Sequence, residues 1–106
     1  MLTIQPTTLG AEMKQSIYER RTMNAHLANA VDAVKSAQHY LSLVNTQDID
    51  KQKLYEKVKS LIDEAVQSAD TAQTIGAKYP DLFDKQKFDY IKTQLGKLTL
   101  KLPLVL

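Results

Sequence analysis

The chain has no cysteine and no tryptophan, and only three of its 106 residues are glycine and three proline. Without thiols there is no disulfide framework, no thiolate zinc or iron–sulfur centre and no cysteine nucleophile. So little glycine and proline cannot punctuate the many turns of an all-β sandwich or barrel, and isolated glycines cannot build a phosphate-cradling loop, which leaves a few long helices. No stretch approaches the ~20 consecutive apolar residues of a membrane span. The segment Met1 to Pro6 carries neither the positive nor the continuous apolar region of a secretory signal. The expectation is therefore a chain of cytoplasmic origin with no membrane span.

What is present is ordinary for a folded domain: 43% hydrophobic and 25% charged residues, in a length that supports one core rather than two. The formal charge of +2 is too balanced to imply nucleic acid by itself. Its distribution is uneven, since residues 1–50 carry 4 basic and 5 acidic side chains whereas 51–106 carry 10 and 7.

Apolar residues recur at steps of three and four from Leu9 through Met13, Ile17, Met23, Leu27, Ala30, Val34, Ala37 and Leu41 to Val44, which predicts one helix over about 8–45. Ala30 and Ala37 would let a partner helix approach closely, while Arg20, Arg21, Thr22 and Asn24 interrupt the stripe and mark a kink or a change of partner near residue 20. A second series runs from Leu54 through Val58, Leu61, Ile62, Ala65, Val66, Ala69 and Ala72 to Ile75, predicting a helix over about 51–75. Asp50 is its expected N-cap, Ile49 and Leu54 its hydrophobic staple, and Gly76 its left-handed C-cap. The sequence Phe83-Asp84-Lys85-Gln86-Lys87-Phe88 repeats that start 34 residues on and predicts a third helix over 85–96, ended by Gly96. A capping solution used twice explains the similarity, which fades after Phe88. Beyond the helices, Leu98, Leu100 and Leu102 alternate with polar residues, as do Leu2 and Ile4, and prolines 103 and 6 close the two segments. Extended, strand-like termini over 1–6 and 98–106 follow.

The fold expected is thus all-α, a single domain over 1–106: a long antiparallel helical hairpin with a third short helix and strand-like ends. Folding the first two helices together about residues 45–50 sets Gly76 opposite Glu19, so that residues 9–18 overhang without a partner.

Candidate chemistry is thin. Asp32, Ser36 and His39 share a helical face, but Asp32 and His39 are separated by about 10.5 Å of helical rise, where triad members must touch. The two histidines, His26 and His39, lack any spacing that converges on a metal. Glu56, Asp63 and Asp70 line one helical face with Lys59 between them, as on an ordinary solvated surface. Lysines 51, 53, 57 and 59, and 85 and 87, open two helices where the dipole disfavours cations. Phosphate or nucleic-acid binding is the weaker reading of them, because no arginine joins them and tyrosines 18, 40, 55, 79 and 90 form no stacking platform.

These observations predict no enzyme, no metal and no cofactor. The expected function is that of a structural or assembly subunit, comparable in character to small components of phage particles, which docks onto copies of itself or neighbouring proteins and enters a virus particle. Its expected contact residues are Leu2, Ile4, Leu9, Met13, Ile17, Leu98, Leu100, Leu102, Leu104 and Leu106. The alternative is a small cytosolic binding protein of the inhibitor or immunity type.

Overall fold

The computed structural model describes the backbone from Pro6 to Leu106 and the side chains from Gly10 onward. Three helices, α1 (Pro6–Leu41), α2 (Lys51–Gly76) and α3 (Lys85–Lys101), are followed by a single 3-10 turn at Leu102–Val105. There is no strand among the described residues. The all-α class stands. The expected extended segment over residues 2–5, with Leu2 and Ile4, lies outside the described residues.

Local sequence explains where α2 and α3 begin. The Asp50 carboxylate accepts a hydrogen bond from the Lys53 backbone N–H at 3.1 Å, and Asp84 accepts from that of Lys87 at 2.9 Å. Each satisfies a first-turn donor that has no partner inside its helix. At the second cap the staple closes, with Phe83 against Phe88 at 5.4 Å between ring centroids; at the first, Leu54 is buried in the core and the half-buried Ile49 packs against that core.

Several expectations are corrected. Gly96 does not stop α3, which runs on to Lys101, and Leu98–Leu102 is helix rather than strand. Leu98 and Leu102 lie four residues apart and extend the inward stripe of Phe88, Ile91 and Leu95. Burial of that stripe outweighs the weak local penalty of one exposed glycine in a helix. Gly76 is not a left-handed cap: no glycine has positive φ, and the chain leaves α2 through Ala77 in the right-handed region. Pro6 opens α1 rather than closing a strand, at a helical position where its missing N–H costs nothing. α1 ends at Leu41, four residues early, and the following turns pass through Asp48, whose φ of 65° puts it in the left-handed region. Aspartate tolerates that region better than most residues. α1 is not interrupted near residue 20, so there is no kink, and what changes there is the packing, since burial begins at Met23. Arg20 and Thr22 bond instead to the backbone carbonyls of Ser16 and Tyr18 one turn back.

Packing changes along α1. The residues it buries are Met23, Leu27, Ala30, Ala33, Val34 and Ala37, and none lies between Gly10 and Thr22. Moving up α1 from Glu19 to Asn29 moves the contact on the other strand of chain back from Lys78 to Ser68, so α1 and α2 run in opposite directions. The seam is lined by small residues, with Ala30, Ala37, Ala65, Ala69 and Ala72 wholly inaccessible. Both stripes step by four and three, a heptad pattern that keeps two helices facing one another along their length. α3 runs beside the later part of α1, where the Gln38 amide donates to the Gln94 side-chain oxygen at 2.8 Å. Its end meets the end of α1, near Leu41 and Val44. The Cα radius of gyration is 19.0 Å, against about 13 Å for a compact domain of 100 residues. The molecule is accordingly long and narrow, 76 × 21 × 14 Å.

Candidate interaction surface

Exposed large apolar side chains gather in two regions, while Val66 and Tyr90 are exposed elsewhere on α2 and α3. On the early part of α1, Met13 is 58% exposed, Ile17 38% and Tyr18 66%. α2 ends at Gly76, close to Glu19, and no helix continues beside these residues. Leu82 of the loop between α2 and α3 reaches the side of Ile17, so the cover there is partial. The Leu9 side chain lies outside the described residues.

At the other region, the face of α3 and its 3-10 turn divides the expected contact residues. Leu98 and Leu102 are buried in the chain's own core, together with Val105, which is 2% exposed. They are corrected from contact residues to core residues. Leu100, Leu104 and Leu106 remain outside, at 79%, 80% and 66% exposure. The division follows from helix geometry: in a strand Leu98, Leu100 and Leu102 would share one face, whereas on a helix Leu100 points about half a turn away from the other two.

Between this region and the end of α1 lies a cleft of about 460 Å³. The buried Leu98 and Val105, the half-buried Leu41 and Val44 and the exposed Leu104 give it aliphatic walls, and Lys101 is its one charged member. Sequence reasoning missed it because Leu41 and Val44 read as a continuing helical seam, and because Lys101 counted only as the polar member of an alternating strand.

Polar side chains between elements are few and satisfied. Asn29 donates to the buried Ser68 hydroxyl at 2.7 Å, and no buried side-chain nitrogen or oxygen among the described residues lacks a partner. One ion pair occurs among the described residues, Lys78 with Glu19 at 2.9 Å. The hydrogen bond from Lys78 holds the Glu19 carboxyl below the ordinary glutamate range, and the same bond raises the Lys78 ammonium above the ordinary lysine range. Lys57 and Lys92 lie over the rings of Tyr40 and Phe88, at 5.6 and 5.8 Å from the ring centroids. Asp32 and His39 stay on the exposed side of α1, and no group of three or more metal-ligating side chains gathers among the described residues. None of the described helices is long and apolar enough to cross a membrane. Compared with protein-family models, with known proteins and with solved structures, the chain matches none.

Proposed function

We propose that this chain is a non-enzymatic assembly subunit, of the kind that builds phage particles and other helical arrays, and that it joins copies of itself or neighbouring subunits through apolar surfaces at the two ends of its long axis. The observation that carries the reading is the set of leucines 100, 104 and 106, each at least two-thirds or nearly so in solvent on a chain of this size. Met13 and Tyr18 on the early part of α1 supply a second surface of the same character. Contiguous exposed apolar side chains mark interaction sites far more often than single ones do. Two different surfaces used head to tail generate a ring or a filament, according to whether the rotation closes. Light scattering at two protein concentrations tests this: mass should rise with concentration, and Leu100→Lys with Leu104→Lys should hold the protein monomeric with its helical circular dichroism intact.

The burial of Leu98, Leu102 and Val105 within one chain favours a second reading. A tail that completes its own core suits a monomeric binding protein, which occludes a single target as inhibitors and immunity proteins do. A constant monomer mass at both concentrations decides for it.

A further inference from the structure

The cleft at the end of α3 has a composition that selects a ligand class, and it shares Leu104 with the surface proposed above for assembly. Five of its eight lining side chains are aliphatic, and none is an aromatic ring on which a planar ligand could stack. Two neutral polar side chains also line it, each with a donor already used within the chain: the Gln38 amide donates to Gln94, and the Ser42 hydroxyl donates to the His39 carbonyl. Lys101 is the one charged side chain lining the cleft, and it has neither a carboxylate nor a ring partner among the described residues. No acidic residue lines the cleft, and from Tyr90 to Leu106 the chain has three lysines and no aspartate or glutamate. A cleft of this size falls in the range of small-molecule sites, which are mostly apolar with one or two polar groups that fix orientation.

We propose that this cleft binds an unbranched alkyl chain ending in an anionic group, with the chain against Leu41, Val44, Leu98 and Val105, Leu104 folding over it, and the anion at the Lys101 ammonium. The same chemistry is offered by a free fatty acid anion and by an anionic lipid.

Methyl-resolved NMR of the full chain tests it, with sodium decanoate below its micelle-forming concentration as the probe. The methyl signals of Leu41, Val44, Leu98, Leu104 and Val105 should shift saturably, while those of Met13 and Ile17 stay still. Decyltrimethylammonium, with the same chain and opposite charge, should leave all of them unmoved. Because Lys101 sits at an open rim, Lys101→Gln should weaken decanoate only about two- to fivefold. Lys101→Glu should make the protein prefer the cationic amphiphile, and Val44→Phe should abolish binding of both by filling the cleft. A parallel arm with phosphatidylglycerol and phosphatidylcholine vesicles separates the sources: shifts of the same methyls with phosphatidylglycerol alone assign the site to lipid. The proposal is overturned if neither probe moves these methyls, if the shifts spread equally to Met13 and Ile17, or if Lys101→Glu leaves the preference for decanoate unchanged.

Discussion

Gly76 and Gly96 are both helical glycines, and the structure gives their replacement by alanine opposite signs. In a helix interior alanine is favoured over glycine by about 0.8–1.0 kcal/mol, from the smaller loss of backbone entropy on folding. At Gly96 a new Cβ would have no neighbour within 4 Å, so the gain is realised in full and Gly96→Ala should stabilise by roughly 0.5–1 kcal/mol. At Gly76 the same atom would run into the Phe83 ring, 2.8 Å from Cγ and 3.0 Å from Cε1, with Cδ1 closer still. The ring cannot simply swing aside, because it packs on Phe88, and that contact closes the staple of α3. Overpacking of this sort costs about 1–3 kcal/mol, which cancels or exceeds the propensity gain. Thermal unfolding followed by far-ultraviolet circular dichroism should raise the midpoint of Gly96→Ala by a few degrees and leave that of Gly76→Ala unchanged or lower, at about 4–8 °C per kcal/mol for a domain of this size. Adding Phe83→Leu, which trims the ring, should recover part of the loss in Gly76→Ala and produce a coupling that the two single changes do not predict by addition. Equal stabilisation by the two alanines would refute the close approach of Phe83 to α2.

Three further outcomes are expected. Leu98→Lys should unfold or strongly destabilise the protein, because burial of a leucine side chain contributes about 1.5–3 kcal/mol and an unpaired charge adds to the loss; Leu100→Lys should change stability by no more than about 0.5 kcal/mol, and similar effects at the two sites in urea titrations would contradict the helical register of α3. Ala37→Leu or Ala65→Leu should each cost about 1–3 kcal/mol by overpacking a seam where the alanine is wholly inaccessible, and an unchanged thermal midpoint would place these residues elsewhere. Glu19 binds its proton less readily in the folded chain than in the unfolded one, so its contribution to stability is present above the ordinary glutamate range and fades as pH falls through the lowered value. Any stability difference between the wild type and Glu19→Gln in denaturant titrations should therefore be widest near neutral pH and shrink in acid; a gap that widens in acid has the wrong sign for the Lys78 pairing.

Sequence alone determined the helices that carry strong periodicity and their starting points. The steps of three and four through Met23 to Ala37 and Leu54 to Ala72 reveal which faces are apolar, and an aspartate followed by free backbone donors marks a helix start without help from the rest of the fold. It also showed that Met13 and Ile17 extend the apolar series of α1 into a stretch that α2 is too short to accompany. Tertiary structure decided the features that depend on a distant partner. Leu98, Leu100 and Leu102 satisfy a strand and a helix equally as a string of letters; burial of Leu98, Leu102 and Val105 in the chain's own core selects the helix and turns Leu100 outward. Gly76 could not be read as a close-approach glycine before Phe83 was in place, because a glycine just past an apolar stripe looks the same whether it frees the backbone or makes room for a ring. The cleft required two separate stretches of chain to converge, residues 38–44 and 98–105, and no local pattern encodes where the end of one helix meets the end of another. Periodicity is a property of neighbours in sequence, whereas a contact surface is what remains after all elements have buried what they can.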